Sequence, residues 1–182
     1  MLGRRNFVAG AGALVFGLAV GSEDVRAAEQ PTIAMMGTPK GDETWFDPIG
    51  LWVPVGTTIR WFTPADQTQK HATAAYHPVN RDSPQRIPKQ AKPWNSGYIG
   101  PGEMFEVALT EAGVYDYYCL PHEAAGMVGR IVVGLPTGRE LMDFDRDTAA
   151  HPEWRVLPKA ALQAFPSVED ILAKKTVPYR RG

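Results

Sequence analysis

The stretch Tyr115-Asp-Tyr-Tyr-Cys119-Leu-Pro-His122-Glu-Ala-Ala-Gly-Met127-Val-Gly-Arg-Ile-Val-Val-Gly134 holds the one cysteine of the 182-residue chain. Its two ends read as strands: Val114 to Cys119 and Met127 to Val133 are rich in β-branched and aromatic residues. The link between them carries Pro121 and Gly126, residues that let a short connection turn sharply. Cys119 closes the first strand, Met127 opens the second, and His122 sits on the turn. A thiolate, an imidazole and a thioether on one short loop are soft donors suited to copper.

Strands also account for most of what surrounds this hairpin. Thr32–Met36, Leu51–Val55, Thr57–Phe62, His71–Tyr76, Gly97–Ile99 and Met104–Leu109 are short and apolar-rich, with Gly, Pro and Asp punctuating them. Alternation in Met104–Leu109 and Val114–Tyr118 gives each strand one face for a core. The expected fold class is all-β, a Greek-key β-sandwich with a short helical C-terminal extension. In that extension Pro158–Ala164 predicts one short helix. Ser167 predicts the N-cap of another, followed by Glu169 and Asp170 in its first turn. Leu162, Phe165, Val168, Ile171 and Leu172 would form its docking face. Residues 77–95 hold four prolines with Arg81, Arg86, Lys89 and Lys92, and predict a long surface excursion rather than a central strand.

The N-terminus predicts export. Arg4-Arg5 precede an apolar run from Val8 to about Gly21, too short to span a bilayer, which needs ~20 residues. Val25-Arg26-Ala27 follows with small residues at the positions a signal peptidase reads. The expected organisation is a cleaved, twin-arginine-like signal over 1–27, a sandwich domain over 28–134, and an extension over 135–182. Losing Arg4, Arg5, Arg26, Glu23 and Asp24 takes 19 basic and 20 acidic residues to 16 and 18, a formal charge of −2. That balance argues against a nucleic-acid partner. No further apolar run in the chain is long enough for stable membrane insertion. A lone thiol in an oxidising compartment excludes an internal disulfide and must be buried, paired between chains or occupied by chemistry.

Each donor taken alone has a structural explanation: a core cysteine, a first core methionine, a loop histidine. Their spacing, Cys-x2-His-x4-Met, makes the metal reading the stronger one once a second histidine is added. His71, at the start of a strand after the polar turn Thr63–Lys70, is preferred to His77, which precedes Pro78 at the mouth of the long loop. His151 reads as a solvated tail residue.

With these residues the chain resembles the cupredoxins, in the branch of plastocyanin, pseudoazurin and halocyanin. The resemblance covers about residues 31–134. It rests on Pro54-Val-Gly-Thr-Thr-Ile-Arg-Trp61, His71, Ser96-Gly97, Pro101-Gly-Glu103, and the run from Gly113 through Cys119, His122, Met127 and Gly129. It implies an eight-stranded Greek-key sandwich with one type 1 copper held by His71, Cys119, His122 and Met127. It also implies a non-enzymatic one-electron carrier with transient redox partners that dock near His122. Leu120, Pro121, Ala124 and Ala125 would form an apolar collar there, Glu123 would tune docking, and the basic loop would steer an acidic partner. A copper delivery protein, or an accessory domain of a copper-dependent redox enzyme, would use the same donors. Ala72 departs from the pattern: the family has an asparagine there that ties the two ligand loops together.

Overall fold

A computed structural model describes residues 30–134 and 152–181; the signal segment and the stretch 135–151 lie outside the described residues. Two sheets face each other. The first has the order β2-β1-β4-β6, built from β1 (Thr32–Gly37), β2 (Thr44–Asp47), β4 (Thr57–Phe62) and β6 (Met104–Leu109). The second has the order β5-β7-β8-β3-β9, built from β3 (Gly50–Val53), β5 (Ala74–Ala75), β7 (Gly113–Tyr118), β8 (Val128–Val133) and β9 (Thr176–Val177). Parallel pairing of β1 with β4 and of β3 with β8 marks strands that cross between sheets rather than meander. Eight of these strands fall within residues 32–133, and the ninth comes from the extension. The all-β sandwich expectation stands.

The period-2 pattern explains the inner layer. Ile33 and Met35 of β1, Ile59 and Trp61 of β4, and Tyr115, Tyr117 and Cys119 of the β7 row point into one core. Ile131 and Val133 of β8 close it from the same sheet. Tyr117 packs edge-on against Trp61 and Phe46, at ring separations of 5.4 and 4.8 Å. Gly129 faces that ring so closely that a Cβ there would stand 2.3 Å from Tyr117 Cζ.

Both faces of the second sheet are covered, which corrects the one-faced reading of β7. All six residues Gly113–Tyr118 are buried. Their outward row, Val114, Asp116 and Tyr118, lies under the C-terminal extension. There α1 (Lys159–Ala164) and α2 (Val168–Lys174) supply the cover. Tyr118 and Val128 pack with Leu157, Ala161 and Phe165, while Val114 and Val132 pack with Val168 and Ile171. Ser167 caps α2 as predicted, its Oγ accepting from Asp170 N–H at 3.1 Å. Leu162 does not dock; it is 46% exposed, and Ala161 takes the buried position instead. Between the two apolar patches Asp116 pairs with Arg86 at 2.9 Å and Arg130 at 2.7 Å. Both guanidiniums lie over the Phe165 ring, at 5.2 and 5.0 Å.

Two other expectations change. His71–Tyr76 is not a continuous strand: His71 makes a single bridge to Ile99, and only Ala74–Ala75 pair with β7. Loop 77–95 is only in part a surface excursion. It returns inward with Ser83, Arg86, Ile87, Ala91 and Trp94 buried, because its prolines let the backbone turn without needing ladder partners. β2 and β9 were not anticipated; each is short and lacks a clear apolar alternation of its own.

Ile171 is fully buried against β8, and its Cγ1 would lie 2.8 Å from a Cβ added at Gly50. Ile171→Ala is expected to cost about 2–5 kcal/mol. Urea unfolding checks this, and a loss under about 0.5 kcal/mol would mean that the extension contributes little to the fold.

Candidate metal centre

The site is built at one end of the sandwich by two backbone devices. On one side His71 N–H donates to the Ile99 carbonyl at 3.1 Å, and Ile99 N–H returns a bond to the His71 carbonyl at 2.8 Å. This reciprocal pair holds His71 at the rim of the core, where it is fully buried. On the other side Cys119 N–H donates to the Met127 carbonyl at 3.0 Å, closing the loop between β7 and β8. Inside it, His122 N–H donates to the Cys119 carbonyl at 3.1 Å and Met127 N–H to the His122 carbonyl at 3.2 Å. Glu123–Ala125 form a single 3-10 turn ended by Gly126 at φ 88°, a left-handed conformation that favours glycine.

These devices bring three donors together. Cys119 Sγ lies 3.4 Å from His122 Nδ1 and 4.0 Å from His71 Nδ1. Ligand atoms of the three residues all fall within 4.8 Å of one another. His71, Cys119 and Met127 are wholly buried, whereas His122 is half-buried at the surface. Met127 belongs to the same core cluster as Cys119. His77 is not in the cluster; its Nδ1 accepts from Val79 N–H at 3.1 Å within its own turn.

The donor set passes a chemical test for a soft metal ion. Burial pushes the Cys119 thiol up to about 12, with the Ala72 and His122 backbone N–H groups acting in the opposite direction. A buried thiolate therefore needs a cation beside it, which a metal supplies. Ala72 N–H donates to Sγ at 3.3 Å, a bond that favours the thiolate. His71 is held neutral: burial first, and the neighbouring His122 second, lower it to about 4. Burial likewise lowers His122. Neutral imidazoles are the form that binds metal. His71 Nε2 is buried with no hydrogen-bond partner, and the Nδ1 edge of the ring is the one that faces Sγ.

Several surrounding residues were missed or misassigned by sequence reasoning. Ala72 has no side chain to tie the ligand loops, but its backbone makes the bond to Sγ. A second tie comes from Arg81 of the long loop, whose Nη1 donates to the Leu120 carbonyl at 3.2 Å. Glu123 was expected to face a partner; it is buried and accepts from Tyr76 Oη and Arg155 Nη2, both at 2.8 Å. Arg86 of the basic loop is buried against Asp116 and is not a steering charge, whereas Arg81, Lys89 and Lys92 are exposed. No local sequence signal distinguishes a buried carboxylate or guanidinium from a solvated one.

The neutral His71 gives a signed pH dependence. The unfolded chain binds more protons here than the folded one between the ordinary value of 6.5 and about 4. This contribution to stability is therefore complete above 6.5 and drains away as pH falls toward 4, on the order of 3 kcal/mol in all. Urea midpoints of the metal-free protein should fall over that window, and His71→Gln should remove much of the slope. An equal slope in that variant would refute the assignment.

Comparison with known proteins gives consistent matches. Residues 34–134 match the copper binding proteins of the plastocyanin/azurin family. A plastocyanin from Capsella bursa-pastoris is 66% identical over 32 residues, 18% of this chain and 32% of that protein. The major chloroplastic plastocyanin isoform of Arabidopsis thaliana is 62% identical over 34 residues, 19% of this chain and 20% of that protein. The aligned stretch thus spans about a third or less of these two curated relatives. Among solved structures, a pseudoazurin from Sinorhizobium superposes with a TM-score of 0.53 at 22% identity, covering 79% of this chain and 96% of that one. A pseudoazurin from Methylobacterium extorquens AM1 gives 0.50 at 22% identity, with 79% and 97% covered. These two share the fold.

Proposed function

Since the chain belongs to the plastocyanin/azurin family of copper-binding proteins, we propose that it is an exported mononuclear copper protein that carries single electrons between redox partners. The observation that carries this reading is the convergence of His71 Nδ1, His122 Nδ1 and Cys119 Sγ at the buried end of the sandwich. His71, Cys119, His122 and Met127 would hold the copper, the thioether being the weakest of the four donors. Bound copper supplies the Cu(II)/Cu(I) couple.

The protein's part is to hold that donor set still. His71 is fixed by its bridge to Ile99, and Cys119 by the loop-closing bond to Met127. Neither histidine has to lose a proton to bind, because both are biased to the neutral form. Burial of Cys119, His71 and Met127 keeps water from three of the four donors. Metal exchange would require this loop to open, which favours electron transfer over copper delivery. His122, the half-buried donor, is the port for electrons. Pro121, Ala124 and Ala125 are exposed around it and Leu120 is half-buried, an apolar collar suited to a small, short-lived contact. The organisation 1–27 signal, 28–134 copper domain and 135–182 extension remains part of this proposal, with periplasmic placement by the twin-arginine-like segment.

Adding Cu(II) to the chain from residue 28 onward should produce an intense thiolate-to-copper optical band and narrow copper hyperfine splitting in EPR. Cys119→Ser should abolish both. Met127→Ala should keep the band but alter its intensity ratio and the reduction potential. An ordinary weak Cu(II) spectrum from the unmodified protein would overturn the reading.

A further inference from the structure

The residue that follows the port histidine is gripped from outside its own loop. Glu123 is the buried member of the 3-10 turn, and that turn has no side-chain cap. Its Oε1 accepts from Tyr76 Oη and from Arg155 Nη2, each at 2.8 Å. Burial, and after it the Glu123 carboxylate, pushes the Tyr76 hydroxyl well above its ordinary range, so it stays a donor. Arg155 comes from the C-terminal extension, ahead of α1. Its Nε and Nη2 also donate to Ser83 Oγ at 3.1 and 2.9 Å, and its backbone N–H donates to the Asp82 carbonyl at 2.8 Å. The guanidinium lies 5.3 Å from the ring centre of Tyr118, the residue before Cys119.

The far side of this contact is also anchored. Arg81 and Asp82 hold left-handed φ values of 60° and 52°, a conformation uncommon for residues other than glycine and less so for Asp. From that bend Arg81 reaches the Leu120 carbonyl. The ligand loop is thus held at Leu120 by the long loop and at Glu123 by the extension, and Arg155 joins those two holders to each other. The extension further abuts Gly126, where an added Cβ would lie 3.3 Å from the Ala160 carbonyl.

We propose that Arg155, acting through Glu123 and Tyr76, is a positioning residue for the metal-binding loop, so that the C-terminal extension sets the placement of His122. Charge-assisted bonds to a buried carboxylate are strong and directional, whereas the turn's own backbone bonds leave its side chains free to shift. Releasing Arg155 leaves the Glu123 charge buried beside His122 and lets the turn relax toward solvent. As it concerns copper, the inference rests on the metal reading above; as it concerns the loop, it does not.

Amide hydrogen exchange of the metal-free protein tests it first. Arg155→Ala should speed exchange at residues 122–126 about tenfold or more, while β1 and β4 keep their rates. Tyr76→Phe should give a smaller change of the same kind, and Arg155→Lys should restore part of the protection. In the copper-loaded protein, Arg155→Ala should lower the reduction potential and shift the hyperfine splitting, because an uncompensated carboxylate stabilises the more positive ion. Unchanged loop exchange, or equal acceleration in β1 and β4, would overturn the proposal by showing no contact or only general stabilisation. If the unmodified protein forms no blue copper spectrum, the metal reading fails while the exchange experiment still decides the clamp. If the spectrum forms and the Arg155→Ala loop exchanges as before, the clamp fails alone.

Discussion

The bond from Cys119 N–H to the Met127 carbonyl is the constraint on which the site depends. It leaves only the seven residues 120–126 between Cys119 and Met127 to link β7 to β8, and so fixes where His122 can be. A longer connection would let the imidazole point to solvent at little entropic cost, since loop closure grows only slowly with length. A shorter one could not accommodate both the 3-10 turn and its left-handed exit at Gly126. The remaining donor is supplied by a separate rigid device, the His71–Ile99 bridge. Two independently fixed backbone segments thus meet at one thiol, and a soft cation is the natural occupant because burial leaves that thiol uncharged without one.

The second constraint is the treatment of the outer face of β7 and β8. An exposed row of Val114, Tyr118, Val128 and Val132 would be an apolar patch on the domain. The extension covers it in two patches and leaves a charged strip between them, where Asp116 meets Arg86 and Arg130. A buried carboxylate is costly alone and tolerable only with its partners in place. Those partners come from the long loop and from β8, while Phe165 lies beneath both guanidiniums. The strip therefore specifies one arrangement of domain, loop and extension rather than adding general stability. β9 extends the same logic to the sheet edge, pairing with β3 so that its backbone groups are not left open.

The same two segments also limit which surface stays open around the metal-binding loop. The Glu123 flank of the ligand loop is occupied, and the Leu120 carbonyl is engaged by Arg81. What stays accessible around His122 is apolar and small, with Pro121, Ala124 and Ala125 exposed. Arg81, Lys89 and Lys92 are exposed on the long loop.

The donors, and most of the strands that frame them, can be read from the residues alone. Cys119, His122 and Met127 were legible because ligand chemistry and turn residues share one short window, and β4 and β6 because their alternation is uninterrupted. His71 was identifiable as a residue, but its bridge to Ile99 was not, since a single pair of bonds leaves no periodic trace. What covers the second side of β7, why Arg86 and Glu123 are buried, and that part of loop 77–95 turns inward emerge from the three-dimensional arrangement alone. Those facts depend on contacts between segments tens of residues apart. A charged side chain reads the same in sequence whether it meets water or a partner, and the energy that settles the matter belongs to the partner's position.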